Sequence, residues 1–145
     1  MRYTCTKLSI VVRPFIPAII YFIITVVLLT LPGAAFPSED WMSDIQFDKI
    51  IHIGLFSLLT FLICYGLYRT QKSGRMSRPL PADQKSVLKR SFLITAIAAL
   101  VYGIIMEYVQ RDFIPNRSFD SGDILADGIG AAAGGIVSRY WFIKK

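Results

Sequence analysis

Four stretches of the chain are almost free of charge: Phe15 to Leu31, Ile50 to Leu67, Phe92 to Val109, and Ile124 to Phe142. Each is close to the roughly 20 apolar residues that carry an α-helix across a bilayer core. The pattern predicts an all-α, four-transmembrane-helix bundle in a single domain over 1–145, with helices at about 12–31, 50–67, 92–109 and 124–142. Pro14 and Pro17 fall at the start of the first run, where a missing amide costs little. Leu31-Pro32-Gly33 ends that run. Arg2, Lys7 and Arg13 before it and Ala34-Ala35 after it also fit a cleavable signal peptide. The run exceeds a usual signal core of about 7–15 residues, which favours a retained helix.

Composition sharpens this picture. The 145 residues are 54% hydrophobic and 18% charged, whereas about a quarter of a soluble domain is charged. Mean hydropathy is +0.51. The net charge of +6 could suggest nucleic acid, but its distribution points to topology. Arg2, Lys7 and Arg13 lie before the first run. Arg69, Lys72, Arg75, Arg78, Lys85, Lys89 and Arg90 lie between the second and third. Arg139, Lys144 and Lys145 close the chain. These are thirteen of the sixteen basic residues, and with four spans they share one side. The opposite loops hold Glu39, Asp40, Asp44 and Asp48, then Asp112, Asp120 and Asp123. The positive-inside rule puts both termini in the cytoplasm of a multi-pass inner-membrane protein. The basic loop lacks interleaved aromatics, so no nucleic-acid partner is expected; membrane lipid is the expected neighbour. Cys5 precedes the first run and Cys64 lies inside the second, so no disulfide and no metal-ligand spacing is expected.

Ionisable groups inside a span are costly and usually face the bundle interior. Asp48, Lys49 and His52 open the second helix, Glu107 and Gln110 end the third, Arg111, Asp112 and Arg117 follow, and Asp120, Asp123 and Asp127 open the fourth. All fall at the external membrane face. Asp48, His52 and Phe56 are four apart, Glu107 and Gln110 three apart, and Asp123 and Asp127 four apart, so each pair or triplet shares a helix face. Three helices can aim these groups at one point, with Arg117 brought down from the loop. Each residue also has a plain structural role available. Asp120-Ser121-Gly122-Asp123 has the spacing of a capping box, Asp48 and Lys49 suit a membrane interface, and His52 suits a hydrogen-bonded packing position. The whole set could be a buried network locking helices two, three and four together. Ala126, Gly130, Gly134 and Ser138, flanked by Ala131 and Gly135, form a ridge of small residues that admits another helix at close range. A partner in the same chain is preferred, because Asp127 lies beside the ridge.

Three segments together resemble the VanZ-like family. They are Phe47-Asp48-Lys49-Ile50-Ile51-His52-Ile53-Gly54-Leu55-Phe56, Glu107-Tyr108-Val109-Gln110, and the stretch from Arg117-Ser118-Phe119-Asp120 through Asp123 and Asp127 to Gly130. The resemblance runs from about the first helix to the C-terminus. It implies a bacterial inner-membrane protein of the cell envelope, related to an accessory protein of teicoplanin resistance. It supplies no reaction mechanism, and a resistance phenotype does not follow from it. Asp127 stands where the family usually has Asn.

The site residues expected on these grounds are Asp48, Lys49, His52, Glu107, Gln110, Arg117, Asp120, Asp123 and Asp127. The leading reading is an outer-leaflet pocket that binds or modifies a polar envelope lipid or precursor, with an effect on glycopeptide susceptibility as one consequence. Lys49, His52, Arg111 and Arg117 would receive phosphate. Glu107, Asp123 and Asp127 would bind hydroxyls, orient His52 or hold a divalent ion. No cofactor is expected, and no Ser-His-Asp or Cys-His spacing points to a catalytic set. The alternatives are a non-catalytic accessory membrane protein and, less favoured, a small ion or proton transporter. A transport path needs polar groups through the whole thickness, and these acids are confined to one leaflet.

Overall fold

The computed structural model describes residues 12–32, 47–72, 80–115 and 117–144. Arg2, Cys5, Lys7, Gly33, Glu39, Asp40, Asp44, Arg75, Arg78 and Lys145 lie outside the described residues. Among those described, the chain forms four α-helices and no strand: α1 (Ile16–Leu29), α2 (Phe47–Lys72), α3 (Ala82–Phe113) and α4 (Ser121–Arg139). A short 3-10 turn, Arg13–Phe15, leads into α1, and a wide π turn, Tyr140–Lys144, continues α4.

Helix ends follow local chemistry. Pro17 sits in the first turn of α1, where its fixed φ is preorganised for a helix. Asp48, Asp83 and Asp123 occupy the first turns of α2, α3 and α4, and Lys72, Arg111 and Arg139 the last turns. Each charge opposes the helix macrodipole at its end. Helices α2 and α3 run well beyond the apolar runs at 50–67 and 92–109. At 26 and 32 residues they are about 39 and 48 Å long. Apolarity marks the hydrocarbon thickness, whereas backbone hydrogen bonding and capping set where a helix stops. The polar turns Arg69–Lys72 and Ala82–Arg90 are therefore helical as well.

Two helices, α2 and α3, are long and apolar enough to cross a membrane, with hydropathies of 2.1 and 2.0 over their best windows. Only 39% and 28% of those windows are buried in the fold, less than expected of a core helix in a soluble protein. Leu93, Ile94, Ile97, Val101 and Ile105 stand exposed along α3, and Ile19, Ile20, Ile23 and Val27 along α1. Continuous apolar stripes of this kind mark a surface made for something other than water.

Helix α4 packs most closely on α2 and next on α3. Its small ridge makes the first contact: Ala126, Gly130, Gly134 and Ser138 are all buried. A Cβ at Gly130 would meet the backbone of Ile53, and one at Gly134 would meet the Ser57 carbonyl and Thr60 Cβ. Helix α1 leans on α2 through its start, where the Phe15 ring fills the space left by Gly66. Two apolar clusters close the bundle. Leu29, Leu55, Phe56, Ala99, Met106 and Ala131 pack near the acid-rich end. Cys64, Leu80, Leu88, Phe92 and Ile143 pack at the other. There the Phe142 ring stacks on Tyr68 at 4.9 Å and lies 5.4 Å from Phe61. Cys64 is a free, buried thiol.

Candidate functional site

The polar cluster forms where the N-terminal turns of α2 and α4 meet the last turns of α3. Asp120 is the N-cap of α4. Its Oδ1 accepts from the Gly122 N–H at 2.7 Å. In a capping box the third helical residue would return a bond to the cap's own N–H. Here Asp123 does not do so. The Asp120 N–H donates instead to Glu107 Oε1 of α3, at 2.5 Å. Freed from the box, Asp123 accepts from Lys49 Nζ at 3.2 Å, and Lys49 also bonds Asp120 Oδ2 at 2.6 Å. Asp48 Oδ2 is third from the same ammonium, at 3.7 Å. Carboxylate oxygens of Asp48, Asp120 and Asp123 lie within 4.8 Å of one another. The cluster has the donor chemistry for a hard cation, but the Lys49 ammonium already stands among its three acids.

One turn deeper, His52 Nδ1 lies 2.8 Å from Asp127 Oδ1, and its Nε2 lies 4.0 Å from Asp123 Oδ2. Both His52 and Asp127 are buried, at 5% and 2% exposure. The ring is held nearly parallel to Phe56, with interplanar angle 7° and centroids 6.5 Å apart. Asp127 fits because Gly103 on α3 has no side chain: a Cβ there would collide with the Asp127 carboxylate. Gly122 likewise leaves room for the Lys49 stem. Gln110 donates from Nε2 to the Leu29 carbonyl at 2.8 Å. That bond satisfies one of the orphan carbonyls at the end of α1 and ties α1 to α3.

A cavity of about 70 Å³ opens beside this network. Leu28 and Leu29 of α1, Asp48, Ile51, His52 and Leu55 of α2, and Arg117 of the α3–α4 loop line it. Positions 48, 51, 52 and 55 share one helix face. The cavity is amphipathic: four aliphatic side chains and three ionisable groups line it. Such a space holds several water-sized groups, at about 10–15 Å³ each.

The structure thus brings Asp48, Lys49, His52, Glu107, Asp120, Asp123 and Asp127 into one connected neighbourhood. Arg117 joins them through the cavity, while Gln110 turns aside to α1. Arg111 points elsewhere: it pairs with its exposed neighbour Asp112 at 2.7 Å and lies over the Tyr108 ring. Lys49 is engaged by three acids, so of the four basic groups considered for phosphate only His52 and Arg117 line the cavity. The Asp120 carboxyl, ahead of α4, is held below the usual carboxylate range, first by the Lys49 ammonium and then by the Gly122 N–H. Sequence reasoning did not single out Gly103, Gly122 or the Leu29 carbonyl. The first two are ordinary small residues in the sequence, and the third has no side-chain signature.

Comparison with known proteins returned no match: no protein-family model, no curated protein and no solved structure matches this chain.

Proposed function

We propose that the chain is a VanZ-like, four-span inner-membrane protein with cytoplasmic termini, whose outer-leaflet pocket binds or modifies a cell-envelope lipid or lipid-linked precursor. The observation that carries this reading is the amphipathic cavity flanked by His52, Arg117 and Asp48 and backed by the His52–Asp127 pair. Intramembrane ionisable groups are costly and mark sites where they occur. An aliphatic wall beside basic groups suits a molecule with an apolar stem and a phosphate head. Influence on glycopeptide susceptibility would follow if that molecule is a surface precursor.

A non-catalytic accessory or structural role is the second reading. The bonds from Lys49 to Asp120 and Asp123, from Asp120 to Glu107 and from Gln110 to Leu29 all join different helices, as a locking network would. Transport is disfavoured by the other half of the bundle. Thr95 and Ser138 there donate to carbonyls of their own helices, at 2.9 and 2.7 Å, and the buried acids Glu107, Asp123 and Asp127 all stand at the opposite end.

The test combines lipid mass spectrometry with folded yield. Envelope lipids are compared in cells lacking the gene and in cells expressing wild type, Arg117→Ala or His52→Ala. The functional reading expects the variants to fold and insert while the co-purified lipid, or the change in cellular lipids, is lost. Loss of folded protein in proportion to loss of phenotype would leave only the locking network.

A further inference from the structure

Running away from the acid-rich end, α2 carries one stripe that changes character in steps. Gly54, Leu58, Phe61, Tyr65, Tyr68 and Lys72 follow one another at alternating spacings of four and three, so they share a helix face. The stripe passes from glycine through aliphatic and aromatic side chains to a cation. Helix α4 and its π turn repeat the order with Gly134, Val137, Trp141 and Lys144. Gly54, Leu58 and Phe61 on one side and Gly134, Val137 and Trp141 on the other line a groove of about 320 Å³. Leu58, Val137 and Trp141 are exposed, so the groove opens outward from the bundle. A Cβ at Gly54 would meet nothing within 4 Å, so this glycine widens the groove and is not filled by a neighbouring helix. Rings close the basic end. Phe61 lies 6.4 Å from Trp141 and 5.4 Å from Phe142, and Phe142 lies 6.0 Å from Tyr65.

Beyond the rings, cations are held against them. Arg69 lies 6.0 Å over Tyr65, Lys72 5.6 Å over Tyr68, and Lys144 5.7 Å over Tyr140. Lys72 Nζ also donates to the Tyr68 hydroxyl at 3.1 Å. Rings and a phenol position these cations without neutralising them. Asp83 is the one acidic side chain between Ile53 and Met106, and none follows Asp127. Phe61 and Gly54 stand about 12 and 22 Å from Arg69 along the helix, and one leaflet with its headgroups is about 20–22 Å thick. Resting on the four-span reading above, we propose that this groove binds an anionic phospholipid of the cytoplasmic leaflet. One acyl chain lies between the two stripes, and the phosphate sits among Arg69, Lys72 and Lys144. Basic residues attract anionic lipid all round a cytoplasmic end. Here three cations fixed on rings stand where an apolar groove ends, which turns general attraction into a site.

The experiment is native mass spectrometry of the purified full chain in detergent, titrated with phosphatidylglycerol and phosphatidylcholine of identical acyl chains. Each cation near the headgroup is worth about fivefold in affinity for an anionic lipid. Wild type should therefore prefer the glycerol lipid by about tenfold or more, and the double variant Arg69→Gln, Lys72→Gln should lose most of that preference. The double variant Lys89→Gln, Arg90→Gln changes exposed bases of the same end that lie outside both stripes, and it should keep the preference. Equal loss in the two doubles would mean a diffuse basic belt and overturn the site. Gly54→Phe should fill the groove and weaken both lipids by about tenfold. Val137→Trp, at an exposed position on the opposite wall, should do the same. Circular dichroism checks that each variant keeps its fold. Unchanged binding in both groove variants would overturn the placement of the acyl chain. Absence of any preference in wild type would overturn the proposal outright. A preference lost in Arg117→Ala but kept in Arg69→Gln, Lys72→Gln would move the lipid to the external cavity, overturning this site and leaving the functional reading intact.

Discussion

Gly134→Ala is the most direct test of how α4 sits on α2. In a helix interior alanine is better than glycine by about 0.8–1 kcal/mol, so an isolated helix would gain. In the bundle the new Cβ would land on the Ser57 carbonyl and lie 3.0 Å from Thr60 Cβ. Neither neighbour is the free end of a flexible side chain, so the two helices must move apart. Overpacking of this kind costs about 1–3 kcal/mol, and contact with backbone places it in the upper half. The expected net loss is about 1–2 kcal/mol. Gly54→Ala is the matched control, since a Cβ there meets nothing within 4 Å; it should be neutral or stabilising by up to about 1 kcal/mol. Thermal unfolding in detergent, read by size-exclusion of the surviving folded fraction, should place Gly134→Ala some 3–8 °C below wild type. A Gly134→Ala protein as stable as wild type or Gly54→Ala would refute the close contact and mean that the ridge faces lipid.

Two further outcomes are expected. Reporters fused after Lys145 or inserted near Gly74 should read cytoplasmic, and one near Ser38 external, because the basic residues cluster in the first two of these segments and the positive-inside rule then puts those in the cytoplasm; an external reading at Gly74 would sink the four-span topology. Asp120 has a lowered pKa in the fold, so its contribution to stability is complete above the unfolded value near pH 4 and is lost as pH falls through the lower folded value. Asp120→Asn keeps an N-cap acceptor but loses the Lys49 pair. It should be less stable than wild type near neutral pH by about 0.2–1 kcal/mol, since the carboxyl is nearly half exposed, and the gap should close below about pH 4. A gap unchanged at low pH would show that the charge of Asp120 contributes nothing.

The apolar runs, their lengths and the grouping of ionisable residues at one end were all legible in the chain, because each depends on local composition or on a fixed helical period. The same holds for the small ridge, whose four-residue repeat needs only the pitch of a helix, and for Asp120 as a cap, which depends on its immediate neighbours. Helix ends were less legible. Turns such as Arg69–Lys72 are polar, and composition cannot distinguish a helix that continues past the apolar run from a loop.

Contacts between helices were decided only in three dimensions. The sequence placed Asp120 and Asp123 in a box that would close on itself; the fold replaces its second half with Glu107, thirteen residues away, and gives Asp123 to Lys49 instead. Gln110 shares a face with Glu107, yet α1 ends within reach of it and Leu29 takes its bond. Arg111 and Arg117 look equivalent in the sequence, but one pairs with Asp112 outside and the other lines the cavity. Pairing of this kind depends on how helices are rotated and shifted against each other. Glycines such as Gly103, Gly130 and Gly134 set those offsets by how closely they let neighbouring groups approach, and a one-dimensional pattern does not say which neighbours those will be.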